Sequence, residues 1–450
     1  MGKKRFLIIP IEVKVRDFMS RLLLSVYASS RNYNVIIGSQ QKIFNFIDKL
    51  PKAIYFDKSL SLNKKLFFKK LVSKGFKICS IDEEGLSSIN NYQKYITQRV
   101  SKETLKLAER IFTWGNSEAK IIVDKYPEVS NKVKVTGNPR LDLLKKGFDL
   151  KYGLDASQYN DKYGEYIFFP SNFTVNHALG EKNLQKLFIN LGRVASEEDE
   201  VYYSKRLEYF RKTFKEYVSL VIAVAKKYKN KNIIVRPHPA EDKGFWKKLS
   251  SNYKNIFIRS ENEAAGWIKG ASVIIHSSCT TGLEAFFSDK HVISFLPYKD
   301  HEYAKHISNI VSHECNNEKD VLEYLEDIFS SNIVERSTQN IKDEISKHIY
   351  NIDNNFAFKN LINEIEKIDI EKQYFKPINI NFSRNVISTI KKIKTYLFDR
   401  KTFRYGLQKF PGISKKEFDE NYLIIRKILN INKKIETVQL SKDLFMIKPK

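Results

Sequence analysis

Short apolar runs rich in β-branched and aromatic residues recur through the first three hundred residues, and most are followed by a stretch of helix length. The first series of runs, Arg5–Ile9, Asn34–Ile37, Ala53–Phe56, Lys77–Ile81, Arg110–Thr113 and Val133–Val135, alternates with helix-like segments at Asp17–Ser29, Gln41–Leu50, Leu60–Lys74, Lys102–Ala108 and Ser117–Lys125. Strands alternating with helices predict a parallel sheet covered on both faces. Gly137-Asn138-Pro139-Arg140 breaks the last strand, and Leu143–Asn160 reads as a linker. A second series follows, with strands Tyr166–Phe169, Asn232–Val235, Ile256–Ile258, Ser272–Ile275 and His291–Ser294. Its helices fall at about Ser204–Lys227, Glu263–Lys269 and Leu283–Ser288. The pattern predicts an α/β protein of two Rossmann-like domains facing a cleft, over residues 1–145 and 160–350. Residues 351–450 read as a helical, basic extension with amphipathic stretches at Asn385–Phe398 and Glu420–Ile431.

Composition narrows the class. The chain has 450 residues, 42% of them hydrophobic, which is ample for two cores and unlike a disordered protein. Cys79, Cys279 and Cys315 have neither disulfide-framework nor zinc spacing, which points to a reducing, cytoplasmic setting. The apolar run after Lys3-Lys4-Arg5 stops at Pro10 and Glu12 and reads as a first strand, not a signal peptide. No stretch approaches the roughly 20 apolar residues of a membrane span. The formal net charge is +26, and residues 371–450 alone hold 19 Lys/Arg against 7 Asp/Glu. Nucleic acid, an anionic membrane surface or an anionic substrate each answers to that charge. The motifs of the usual nucleic-acid modules are absent, and the aromatics are dispersed, so a nucleic-acid partner is not expected.

Polar motifs cluster where the predicted strands end, which is where open α/β sheets bind ligands. Asp82-Glu83-Glu84 follows the fourth run, and three adjacent carboxylates suit a general base or a nucleophile, or equally an acidic turn. In Arg236-Pro237-His238-Pro239 the prolines fix how His238 is presented; Arg236 and His238 are candidate phosphate ligands, and His238 a candidate proton donor. His276, Ser277, Ser278, Thr280, Thr281 and Gly282 then lead into a helix carrying Glu284. Hydroxyls at a helix N-terminus suit a phosphate or a ribose, and ordinary capping would need only one of them. Lys14 and Arg16 after the first strand, and Asn172, Asn176 and His177 after the strand that opens the second series, are further candidates for substrate contact. Dinucleotide-binding and P-loop glycine patterns are missing, as is the zinc-protease histidine pair.

Taken in order, Glu83-Glu84-Gly85, His238-Pro239 and Ser277-Ser278 resemble the motifs of bacterial sialyltransferases and polysialyltransferases of GT-B fold, and of the Kdo transferases of capsule assembly. Longer strings over roughly residues 5–300 resemble bacterial surface carbohydrate biosynthesis proteins. These are Ile9–Glu12 with Lys14-Val15-Arg16, Asp82–Gly85, Thr136–Asp142, Asn172–His177, Arg236–Pro239 and Cys279–Ala285. The resemblance implies a glycosyltransferase that moves a nonulosonic acid (Kdo, pseudaminic or sialic acid) from a CMP-activated donor to lipopolysaccharide or capsule. Glu83, or Glu84 one residue on, would serve the reacting hydroxyl or the anomeric centre, with Asp82 beside them. Arg236, His238, Pro239 and the Ser277–Thr281 hydroxyls would hold the CMP phosphate, and Asn138 and Arg140 would lie near the substrate.

The CMP-sugar would be a substrate, with no cofactor and no metal expected, because protein donors can neutralise one departing phosphate. A glycan or lipid-linked glycan would accept the sugar, and the basic C-terminus would hold the enzyme peripherally at the inner face of the cytoplasmic membrane. The stereochemistry stays open between inversion and retention. Rival readings are a CDP-glycerol-type polyol-phosphate transferase, a nucleotide-sugar epimerase of GT-B fold and a basic nucleic-acid-binding protein.

Overall fold

Every strand of the first series forms; the runs inside the sheet are buried on both faces, whereas the edge run Val133–Val135 is half-buried. The computed structural model describes residues 3–85, 92–190, 194, 196–299, 303–304, 306–331, 338–374 and 400–450. The chain divides into two units, Met1–Gly85 with Ile96–Leu143 and Lys347–Lys450, and Leu86–Tyr95 with Leu144–Ser346.

The first unit holds β1 (Arg5–Ile11), β2 (Tyr33–Ser39), β3 (Ile54–Asp57), β4 (Lys77–Ile81), β5 (Arg110–Thr113) and β6 (Val133–Val135), all parallel. The chain's last two strands, β13 (Ile435–Ser441) and β14 (Leu444–Pro449), join the same sheet, in the order β13-β14-β2-β1-β3-β4-β5-β6. Order reverses between β1 and β3, which puts a crevice outside their carboxyl ends.

The C-terminal region carries expected helices, among them Arg400–Lys409 and Lys415–Ile428, but it is not an appended arm. β14 runs antiparallel to β2, pairing Leu444 with Gly38 and Ile447 with Val35. Leu444, Phe445, Met446 and Ile447 have no exposed surface. Each is worth about 1.5–3 kcal/mol on burial. A β-hairpin was not expected here because it follows a helical, lysine-rich stretch and its strands alternate poorly. It covers what would otherwise be the open edge of β2. The amphipathic helix expected at Glu420–Ile431 forms as Lys415–Ile428 and turns Phe418, Tyr422 and Ile425 inward. Phe418 packs on Phe18 of the helix Lys14–Ser30 and stacks on Phe445 at 4.0 Å, so its apolar face is used inside the protein. The stretch Asn385–Phe398 lies outside the described residues.

The second unit has β7 (Tyr166–Pro170), β8 (Asn232–Arg236), β9 (Ile256–Ile258), β10 (Val273–His276), β11 (His291–Phe295) and β12 (His313–Cys315), in the order β12-β11-β10-β7-β8-β9. All neighbours are parallel, and the order reverses between β7 and β10. One face is covered by the 31-residue helix Glu197–Lys227 through Tyr217, Leu220, Val221 and Val224; the other meets Trp267, Ile268 and Tyr159. The expected linker is largely a helix, Leu150–Tyr163, whose Tyr159 stacks on Trp267 at 3.7 Å. The polar surface of that stretch hid its 3.6-residue period. Among the described residues no helix is long and apolar enough to cross a membrane.

Candidate active site

In the first unit the Asp82–Gly85 loop leaves the carboxyl end of β4, and arginines gather around its three acids. Arg21, from the helix Lys14–Ser30, donates to Glu83 Oε1 at 2.6 Å, and both side chains are buried. Asn138 Nδ2 donates to Glu83 Oε2 at 3.0 Å, so both carboxylate oxygens are engaged. Arg99 grips Asp82 through two bonds of 2.7 and 2.8 Å and also reaches Glu84 at 3.0 Å. Arg16 Nη1 donates to Glu84 Oε1 at 3.0 Å, and its Nε to Asp17 at 2.6 Å. Burial would lower the Arg16 pKa, but the adjacent Asp17 and Glu84 outweigh it and hold the guanidinium well above its ordinary value. The side chain of Glu84 is 44% exposed against 4% for Glu83. Of the two acids the sequence left open, Glu84 therefore reaches solvent, and Glu83 is tied into the base of the loop.

Asn138, expected to touch substrate, has no exposed surface. Its amide N–H and carbonyl exchange bonds with Asn351, which also donates to Asp142. Asp142 accepts in turn from the amides of Ala357 and Phe358. Gly137 sits at φ +77 with Asn351 where a side chain would be, so the Thr136–Asp142 string docks the returning chain and orients Glu83. Arg140 Nη1 lies 3.4 Å from the Glu83 carbonyl. Lys14, expected to meet an anion, donates to the Gly412 carbonyl at 2.6 Å and to Glu417 at 2.8 Å.

Glu118 lies beneath this loop and has no sequence signature. It accepts from the Trp114 amide at 2.8 Å, while Trp114 Nε1 donates to the Asp82 carbonyl at 2.6 Å. Burial, only partly offset by that amide, pushes the Glu118 carboxyl up to about 8.

In the second unit the loops after β7, β8 and β10 come together where the strand order reverses. Glu241 binds two of them: it accepts from Ser171 Oγ (2.8 Å), the Phe173 amide (3.1 Å), Asn176 Nδ2 (3.2 Å), the His238 amide (3.3 Å) and Trp246 Nε1 (3.0 Å). Burial nonetheless raises its pKa. Asn176 is accordingly a strut between loops, and His177 Nδ1 accepts from the Leu179 amide. Asn172 is exposed beside them.

Arg236 is buried at the end of β8 and donates to the Glu261 and Asn262 carbonyls at 2.8 and 2.5 Å. It clamps the loop after β9 through these two bonds. His238, held between Pro237 and Pro239, is exposed. Its Nδ1 accepts from the Ala240 amide at 3.1 Å, which places the proton of the neutral ring on Nε2.

After β10 the chain turns through Ser278 at φ +50 into a helix, Thr280–Phe287. This helix starts three residues earlier than expected, so Thr280 and Thr281 lie in its first turn. Ser277, Ser278, Thr280, Thr281 and Glu284 are half-buried. Ser278 Oγ donates to the Ala304 carbonyl at 3.0 Å.

His276 belongs to the core: Nδ1 accepts from the Cys279 amide at 3.3 Å, and Nε2 bonds Ser312 Oγ at 2.9 Å. A Cβ on Gly282 would lie 2.2 Å from His276 Nε2, so that glycine makes room for the imidazole. Gly282→Ala is expected to cost at least about 1–3 kcal/mol by overpacking, read as a lowered denaturation midpoint.

Among the buried groups that make stability depend on pH are His276, His306 and Glu118, with Glu241 acting in the same direction as Glu118. Burial holds His276, with a contribution from His306, and His306 itself at about 3, against the ordinary 6.5. The unfolded chain takes protons that the folded chain refuses, so stability falls as pH drops from 6.5 toward 3. Glu118 has the opposite sign. Its contribution is full below the unfolded value of 4.5 and is lost as pH rises through about 8. The melting temperature is therefore expected to peak near neutrality. Glu118→Gln, which keeps an acceptor for the Trp114 amide, should flatten the alkaline limb. An unchanged alkaline decline in that variant would remove Glu118 as its source.

No protein family matches the chain by sequence, and no curated protein does. Solved structures do. The wall teichoic acid polymerase TagF is similar over 82% of this chain and 89% of its own, at 10% identity and a TM-score of 0.50. The UDP-GlcNAc 2-epimerase from Neisseria meningitidis, bound to UDP-GlcNAc, matches 81% of this chain and 100% of its own at 13% identity and a TM-score of 0.48. S. aureus MnaA with UDP matches 83% and 100% at 12% identity and the same score. The likeness to TagF is one of fold: two parallel-sheet, Rossmann-like units of the GT-B kind.

Proposed function

We propose that the chain is a transferase of cell-surface glycan assembly that draws on a cytidine-activated donor. The observation that carries this is the loop cluster at the β7/β10 reversal. There a hydroxyl-rich helix start and an exposed, proline-flanked histidine with its proton on Nε2 lie on loops of one sheet. Helix amides and hydroxyls suit a phosphate, and His238 Nε2–H supplies a donor to the oxygen that gains charge as the nucleotide departs. In the first unit Glu84 is the accessible acid for an acceptor hydroxyl, with Glu83 positioning the loop.

Two donors fit this chemistry. A CMP-nonulosonic acid is the reading that the ordered motifs resemble. A CDP-glycerol-type polyol phosphate is favoured by the likeness to TagF, a wall teichoic acid polymerase, and needs the same phosphate contacts. Mass analysis of products after incubation with each donor and a lipid-linked acceptor separates them. Transfer from neither, together with conversion of UDP-GlcNAc in the absence of acceptor, would replace both with an epimerase.

A further inference from the structure

Thirteen large hydrophobic side chains are conspicuously exposed among the described residues, and four of them, Phe44, Leu62, Leu66 and Val72, fall within twenty-nine residues of the first unit. Leu66 is 79% exposed, the most of any. The elements that bear them are adjacent, with Val72 about 120° around the helix from Leu66 and so at the edge of the face. Phe44 and Phe67 lie 5.1 Å apart between ring centroids, and Lys70 and Lys74 of the helix Lys65–Ser73 and the turn after it both pair with Asp48. Leu62 and Leu66 stand one helical turn apart, on the solvent side of the segment whose Phe68 and Leu71 are buried. Residues 40–75 hold nine lysines and two aspartates; Lys58 and Lys64 are turned to Glu12 and Asp57, and Lys65 meets Glu103, so the basic excess at the surface rests on Lys42, Lys49, Lys52, Lys69, Lys70 and Lys74.

We infer that this face docks on an anionic lipid bilayer. Apolar tips ringed by long-stemmed lysines are the arrangement that enters the headgroup boundary, with the side chains in the acyl region and the ammonium groups at the phosphates. Charge complementarity selects this occupant over a second copy of the chain, whose equally basic face would repel it. The apolar face of Lys415–Ile428 is buried, so that helix is not the membrane contact proposed here. It rests on this surface alone and is independent of the donor chemistry.

The test is cosedimentation of the full chain with phosphatidylcholine vesicles and with vesicles holding about 30% phosphatidylglycerol, enough to give a strongly negative surface. The wild type should bind the anionic vesicles, and added salt should weaken it. The double variant Leu62→Ser with Leu66→Ser should bind at least about tenfold more weakly, with an unchanged melting temperature, since both side chains are exposed. Lys69→Glu should weaken binding, whereas Lys416→Glu, on the exposed side of a C-terminal helix, should not. Wild-type binding in the double variant, or no binding by the wild type, overturns the proposal. So does a wild-type dimer that the double variant dissolves.

Discussion

Arg21→Met will destabilise the full chain by roughly 3–5 kcal/mol, the cost of leaving a buried carboxylate without its cation. Glu83 has one oxygen on Arg21 at 2.6 Å and the other on Asn138 at 3.0 Å, and its side chain is 4% exposed. Asn138 remains in the variant but is neutral and cannot offset a full charge. The pair Arg21→Met with Glu83→Leu should recover much of the loss, because replacing both partners of a buried ion pair with apolar groups is often close to neutral. Urea unfolding of the two single variants and the double variant reads this as a coupling energy. A loss below about 1 kcal/mol in Arg21→Met, the range of exposed pairs, would mean that Glu83 is hydrated and open to substrate.

His238→Asn will lower turnover by about 10²–10³-fold with little change in stability, the usual cost of removing one donor to developing charge. Asparagine keeps an oxygen for the Ala240 amide that Nδ1 now accepts, so the loop retains its shape. What it loses is the Nε2–H. A variant whose turnover is unchanged removes His238 from the chemistry. A drop confined to KM assigns it to ground-state binding of the donor.

Strand runs such as Ile233–Val235 and Ile274–Ile275 were plain in the sequence because parallel strands, buried on both faces, are uninterruptedly apolar. The loops that follow them were therefore legible as places, Asp82–Gly85, Arg236–Pro239 and Ser277–Thr281 among them. Individual roles were less so. Spacing gave no sign that the Arg236 guanidinium meets two backbone carbonyls or that His276 lies against Gly282. Such assignments depend on contacts between residues distant in sequence, which spacing does not encode. Arg21, Glu118 and Glu241 carried no motif. A charged residue inside an amphipathic helix or a proline loop reads as solvated, and only burial shows otherwise. The C-terminal hairpin was hidden for a related reason, since β14 is defined by its antiparallel pairing to β2, about four hundred residues earlier.

Whether the hydroxyl-rich helix start after β10 holds a nucleotide phosphate is read by calorimetric titration of CMP and CDP into the full chain and into Thr280→Ala with Thr281→Ala. The wild type should bind a cytidine nucleotide saturably. The double variant should bind it more weakly by about tenfold or more, since each hydrogen bond to a charged group is worth about 1.5–3 kcal/mol. Cytidine nucleotides that do not bind, or that bind the double variant as tightly as the wild type, would contradict a phosphate site at this helix.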